Sequence, residues 1–219
     1  MSDITEIRAC IFDVDGTLLD SMPVWDDIGE RYLTSQGIAA GEGLRDVLNT
    51  MSLEQGAAYL KEEYQIEKSV TEIVKEVLKI VSDFYRFEAP LKPGVEETLE
   101  WLKKRQVRMV IATSGNKELV EAAFERTGIL GYFEQIYTCT EIGAGKDEPT
   151  IYLKAAEDLN TKPEDTLVFE DALHAAETAK KAGFVVVGVY DAGNEGNISR
   201  MKEVCDYYCN KMNEVIRSN

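Results

Sequence analysis

Histidine is nearly missing from this sequence: His174 stands alone among 219 residues. A Ser-His-Asp or Cys-His relay therefore has one candidate base and no nucleophile motif beside it. His174 reads as a helix-surface or packing residue. Cysteine is scarce as well, and Cys10, Cys139, Cys205 and Cys209 contain no C-x-x-C pair. No further Cys or His cluster completes a zinc site around 205 and 209, so reduced thiols are expected. Basic residues are outnumbered, 24 against 40 acidic ones, for a net charge of -16. Such a surface repels polyphosphate backbones and anionic lipid, so neither nucleic acid nor membrane is an expected partner. No apolar run approaches the length that spans a bilayer. Met1–Glu6 has neither a basic start nor a following apolar stretch, and a cytoplasmic location is the expectation. Internal repeats and low-complexity tracts are absent too.

What is present is ordinary in bulk and specific in arrangement. Apolar content of 44% and charged content of 29% suit a soluble globular chain. The length allows one core, or a core with a smaller lobe. Residues 8–13 read as a buried central strand. Asp20-Ser21-Met22-Pro23 reads as a helix start, with a capping side chain and proline in the first turn. From there to about residue 88 no strand pattern occurs. Ser52-Leu53-Glu54-Gln55 has capping-box spacing. Val70, Ile73, Val74, Val77, Val81 and Phe84 fall on one helical stripe. Pro90 to Gly94 punctuates the chain.

Strand and helix then alternate. Strands are expected at 108–112, 135–138, 166–169, 185–189 and 206–208. Helices are expected near 95–105, 117–127, 150–160 and 172–182, with another at the C-terminus. This predicts an α/β fold: a doubly wound parallel sheet with right-handed crossovers. The expected organisation is a discontinuous core, 1–18 and 90–219, interrupted after its first strand by an α-helical domain, 19–89.

Two of those strands end on acids. Ala9-Cys10-Ile11-Phe12 runs into Asp13-Val14-Asp15-Gly16-Thr17, and Thr166-Leu167-Val168-Phe169 runs into Glu170-Asp171. A buried strand that stops on a carboxylate delivers the charge to the sheet rim, where open α/β folds bind ligands. Carboxylates that converge there raise one another's pKa unless a positive charge intervenes. A hard dication with oxygen ligands, most simply Mg²⁺, is the expected remedy. Taken singly, each motif also has a plainer use. Asp13 and Asp15 could build a turn with Gly16. Thr113 and Ser114 could cap a helix. Glu170 and Asp171 could complement a helix dipole, and Lys146 could be a solvated loop residue.

In order and together, Asp13-Val14-Asp15-Gly16-Thr17, Thr113-Ser114, Lys146 and Glu170-Asp171 resemble the four motifs of the haloacid dehalogenase-like hydrolase superfamily, over residues 8 to about 190. The helical insert is similar to the cap of the subgroup with phosphoglycolate phosphatases and β-phosphoglucomutase. The resemblance implies a Mg²⁺-dependent phosphatase acting on a small phosphorylated metabolite. Asp13 would be the nucleophile, forming an aspartyl-phosphate. Asp15 would be general acid and then base, with its backbone carbonyl on the metal. Metal ligands would be Asp13, Asp15, Glu170 and Asp171. Thr113, Ser114 and Gly115 would cradle phosphate beside a helix N-terminus, with Lys146 supplying a positive charge. The family usually has proline after this lysine; Asp147 stands here instead, and a pair between Lys146 and Asp147 is one arrangement open to it.

Within the insert, the resemblance implies that Met22, Val24, Trp25 and, further along, Met51 face the active site; Met22 and Trp25 would contact the substrate or screen it from water, or Trp25 would pack inside the cap. The β-phosphoglucomutase branch carries histidine where Trp25 stands and an arginine that Asn49-Thr50-Met51-Ser52 lacks. A phosphosugar mutase is therefore the alternative rather than the leading reading. A phosphoaspartate receiver module fits less well, given the length, the insert and the Asp-x-Asp on the first strand. A true dehalogenase has no need of Asp15 or the second acidic pair. A monomer is expected, with a dimer open.

Overall fold

Ala9–Phe12 is buried along its whole length, and a strand hidden on both faces needs neighbours at both edges. The computed structural model describes residues 7–49 and 51–217. Met1–Glu6, read above for a leader, and Thr50, read above as part of a cap segment, lie outside the described residues. β1 (Ala9–Phe12) lies between β2 (Arg108–Thr113) and β4 (Thr166–Glu170). β3 (Ile136–Thr138), β5 (Val185–Val189) and β6 (Tyr207–Cys209) complete a parallel sheet in the order β3-β2-β1-β4-β5-β6. This is the expected doubly wound α/β fold.

The chain forms two compact units, one of residues up to Asp20 together with those from Ala89 onward, the other Ser21–Glu88. Leu19 bridges to Asp15 and to Leu91, and the Asp20 N–H donates to Pro90 O at 2.9 Å. Both residues, placed in the helical segment by the 19–89 boundary, thus belong to the sheet unit.

The helical unit holds α1 (Pro23–Ser35), α2 (Leu44–Leu48), α3 (Leu53–Glu63) and α4 (Val70–Phe87). Capping boxes start α3 at Ser52/Gln55 and α4 at Ser69/Glu72. Each satisfies N–H groups that a helix start leaves without intrahelical partners. The apolar stripe of α4 buries Ile73 and Val77 against Tyr32 and Leu33 of α1 and Leu60 of α3. The start of α1 differs from expectation. Its N-cap is Met22, which makes no side-chain cap bond, rather than Asp20 or Ser21. Pro23 at the first helical position has no N–H to satisfy, which lightens the need for a cap.

In the sheet unit, α5 (Val95–Lys104), α6 (Lys117–Thr127), α7 (Cys139–Ile142), α8 (Thr150–Asp158), α9 (Leu173–Lys181), α10 (Ile198–Val204) and α11 (Glu214–Arg217) connect or follow the strands. Side chains alternate across the pleat. Ile11, Val110, Val168 and Val186 pack with Ile151 and Ala155 of α8 and Ala176 and Ala179 of α9. On the other face Phe12 stacks on Phe169 at 4.5 Å between centroids and meets the edge of Phe133 at 5.9 Å. Phe169→Ala would empty this layer directly under the strand ends. It should cost about 3–5 kcal/mol of unfolding free energy in urea denaturation; a loss below about 1 kcal/mol would mean the aromatic layer does not hold the two strands together.

Candidate active site

Register brings the acids together. Phe12 pairs with Phe169, and the Asp13 N–H donates to Phe169 O at 3.0 Å. Asp13 therefore leaves β1 level with Glu170, the last residue of β4. Strand order reverses between these two strands, which is where doubly wound sheets open a crevice. One carboxylate oxygen from each of Asp13, Glu170 and Asp171 lies within 4.8 Å of the others, and all three residues are buried. Among the described residues this is the group that could hold a metal ion.

Lys146 reaches into the group from the loop between α7 and α8. Its buried ammonium donates to Asp13 Oδ1 and, at 2.5 Å, to Glu170 Oε1. Tyr152, on α8, donates its hydroxyl to the same Glu170 oxygen at 2.7 Å. Asp171 accepts from Thr17 Oγ1 at 3.3 Å and from Asn194 Nδ2 at 2.7 Å. Gly16 has φ +79°, and a Cβ there would lie 2.5 Å from Asp171 Oδ2. The turn therefore takes glycine for both conformation and space.

Three ionised carboxylates and one ammonium leave two negative charges in a buried place. Burial pushes the Asp13 carboxyl up to about 6, with Glu170 adding to the rise and Lys146 opposing it. Asp171 goes further, to about 8, through burial and then the charges of Asp13, Glu170 and Asp191. Burial disfavours the Lys146 ammonium, yet Asp13 and Glu170 outweigh it and hold its pKa above the ordinary value. The donors are hard oxygens and the surplus is the charge of one divalent cation. Mg²⁺ fits this site on both counts.

Asp15 takes another direction. A Cβ on Gly115 would lie 3.1 Å from Asp15 Oδ2 and 3.2 Å from Thr113 Oγ1. The Asp15 carboxylate thus stands beside the Thr113–Gly115 turn, outside the group of three. Thr113 is buried at the end of β2, and its Oγ1 accepts the Gly115 N–H at 2.9 Å. Neither Thr113 nor Ser114 caps the following helix: Asn116 does, accepting the Leu119 N–H at 3.2 Å. Ser114 Oγ lies 3.4 Å from Cys139 Sγ.

Lys146 does not pair with Asp147. The Asp147 side chain folds over the Gly145 backbone, where a Cβ would collide with its Oδ1. Asp147 is exposed, because two buried carboxylates already hold the lysine. In the helical unit Trp25 is 40% exposed, not part of that unit's core. It borders a cavity of about 320 Å³ lined also by Met51, Asn49, Ser52 and Leu53. Met22 is half-buried, Val24 is fully buried on α1 rather than facing a site, and His174 is exposed on α9. The four cysteines are free thiols.

Sequence reasoning assigned no role to Thr17, Tyr152 or Asn194. Thr17 stands inside the first motif and could have been singled out from it. Tyr152 and Asn194 carry no local signal.

The family model described as a haloacid dehalogenase-like hydrolase matches residues 7–183. The chain is 30% identical over 191 residues to the phosphorylated carbohydrates phosphatase of Thermotoga maritima, covering 87% of this chain and 88% of that one. It is 26% identical to hexitol phosphatase B of Escherichia coli K12, over 89% of this chain and 90% of the relative. A Thermotoga maritima crystal structure with a provisional β-phosphoglucomutase name superposes with a TM-score of 0.85 at 28% identity, over 97% of this chain and 98% of that one.

The raised carboxyl groups set a pH dependence. Asp13 and Asp171 bind protons more tightly folded than unfolded, so the stability this gives is complete below about pH 4. It is lost as pH rises through about 6 for Asp13 and about 8 for Asp171. A dication held by these carboxylates would replace those protons and restore the lost stability. The rise in Tm on adding MgCl₂ to EDTA-treated protein should therefore grow steadily from pH 5 to about 8.5. A Mg²⁺ increment that stays flat across that window would contradict the assignment.

Proposed function

The chain belongs to the haloacid dehalogenase-like hydrolase family, and from that premise we propose that it is a Mg²⁺-dependent phosphatase of a small phosphorylated metabolite, with Asp13 as nucleophile. The observation that carries the reading is the Asp13 carboxylate, gathered with Glu170 and Asp171 around the ammonium of Lys146, which it shares with Glu170, and with Asp15 two residues on beside Thr113 and Gly115.

In the first step an Asp13 oxygen attacks phosphorus, and the bond from phosphorus to the leaving oxygen breaks. Asp15 gives that oxygen its proton, so a neutral alcohol departs. In the second step Asp15 takes a proton from water as the water oxygen attacks phosphorus. The bond from the Asp13 oxygen to phosphorus breaks, returning a carboxylate and free phosphate. Lys146 keeps Asp13 ionised against its burial and faces the phosphoryl oxygens as charge builds on them. Thr113, Ser114 and Gly115 form the turn on which those oxygens rest. Glu170 and Asp171, with Asp13 and the Asp15 backbone carbonyl, would hold the cation. When bound, the cation neutralises phosphoryl oxygens and orients the nucleophile.

The helical unit acts as a cap that excludes water during the first step and admits it for the second. Its attachment through two crossings, near 20 and 89, supports this reading. Met22 and Trp25 contact the organic part of the substrate; the place of Trp25 on the rim of the 320 Å³ cavity of the helical unit supports a ligand-facing role. The relatives' names favour a phosphorylated carbohydrate or a similar polyol as substrate.

Asp13→Asn should lower p-nitrophenyl phosphate hydrolysis by a factor of about 10³ or more, without unfolding the chain. Turnover near that of the wild type in Asp13→Asn would exclude the covalent route. Free phosphate released in step with the loss of a hexose or hexitol phosphate separates hydrolysis from isomer interconversion.

A further inference from the structure

We infer that Asn194 is a positioning residue for Asp171, and that Lys92 anchors both donors that orient this carboxylate. The inference rests on the reading of Asp171 as a metal ligand.

Each Asp171 oxygen has its own donor, and the two donors come from different parts of the chain. Thr17, in the loop after β1, donates to Oδ1 at 3.3 Å. Asn194, in the 3₁₀ turn Ala192–Asn197 after β5, donates to Oδ2 at 2.7 Å. The second bond is the shorter and the better defined. An amide donor fixes the orientation of a carboxylate without cancelling its charge, so the full charge remains for a cation. The close approach of Gly16 to the same Oδ2 restricts rotation further.

Asn194 is itself held. Its N–H donates to Asp191 O at 3.1 Å, and Asp191 Oδ1 accepts the Gly193 N–H at 2.8 Å. Asp191 Oδ2 takes a 2.8 Å bond from Lys92 Nζ, with side-chain exposures of 9% for the lysine and 3% for the aspartate. An ion pair this deep is costly to desolvate and is weak evidence for stability by itself. Its geometry has another use. The backbone N–H of the same Lys92 donates to Leu18 O at 2.9 Å, next to Thr17. One residue therefore ties down the turn that carries Asn194 and the loop that carries Thr17. Lys92 also lies three residues beyond the second crossing between the units.

Groups that hydrogen-bond a metal ligand hold it in its coordinating orientation, and losing one costs about 10–100-fold in metal affinity. Asn194→Ala should weaken Mg²⁺ binding by about that factor in titration calorimetry with the ion alone. Its Tm in EDTA should stay close to that of the wild type, and kcat should recover at saturating Mg²⁺. A purely structural role would instead lower Tm and leave the Mg²⁺ Kd unchanged. An unchanged Kd in Asn194→Ala overturns the positioning role. Absence of Mg²⁺ binding by the wild-type chain would overturn the metal reading itself, a separate result.

Removing Lys92 alone would leave Asp191 buried with an uncompensated charge, and that variant risks not folding. The double variant Lys92→Met with Asp191→Leu removes both charges together. It should weaken Mg²⁺ severalfold through the freed turn. A wild-type Kd in a folded double variant overturns the anchoring by Lys92.

Discussion

A buried lysine between two carboxylates is the constraint on which the site depends. Asp13, Glu170 and Asp171 are brought within 4.8 Å of one another by strand register, which the sheet fixes whatever the electrostatic cost. Uncompensated, such a cluster either takes up protons or pushes its strands apart. Lys146 meets this by giving one ammonium to Asp13 and Glu170 together, and Tyr152 adds a neutral donor on Glu170. Lysine suits the place because a compact ammonium can donate to two acceptors at an angle, where a planar guanidinium would ask for one aligned carboxylate. The compensation stops short of neutrality. That remainder is negative, and it is what the proposed cation would offset.

The same electrostatics explains why two neighbouring aspartates can take different chemical roles. Asp13 points into the charged group and is held by a cation of the protein itself. Asp15, past one intervening residue, stands beside the Thr113–Gly115 turn. In its proposed role Asp15 carries a proton at one moment and lacks it at the next, and such an acid is better placed away from Lys146, which would pin it as the anion. The glycines are part of this separation. Gly16, directly after Asp15, turns the chain at φ +79° and lets it pass close to Asp171, and Gly115 leaves the space beside the Asp15 carboxylate.

Much of this was legible in the sequence for a definite reason. Buried parallel strands read as short apolar runs, and each of the two central runs ends on its acid. Reading β1 and β4 therefore placed Asp13 and Glu170 at one rim before any contact was known. The helices of the inserted unit were legible through Ser52/Gln55 spacing and the α4 stripe, both local patterns. Contacts made across the chain were not. Tyr152 looks like a core aromatic on α8, and Asn194 like any loop asparagine; their roles come from what the sheet sets beside them. The start of α1 went astray because Asp20 belongs by its backbone to the segment at Pro90, a pairing no capping rule contains. The four-residue α7 is shorter than the period that would reveal it.

Net charge is the remaining puzzle for a chain that handles an anionic substrate. A total of -16 would repel a phosphate ester if all of it acted at a distance. It does not, because ionic strength near physiological screens exposed charges beyond about 8 Å. Many of the surface acids are also engaged with nearby cations, as Glu134 is with Arg108 and Asp206 with Lys180. What an arriving phosphate meets is the local balance at the strand ends, where screening is weak because the groups are buried. With protein groups alone that balance is negative, and a dication brings it to neutral. On the proposed reading, a surface this acidic is compatible with phosphate chemistry because a cation and the substrate would meet at one place. On that reading, the donors to Asp171 would bear on the substrate without touching it.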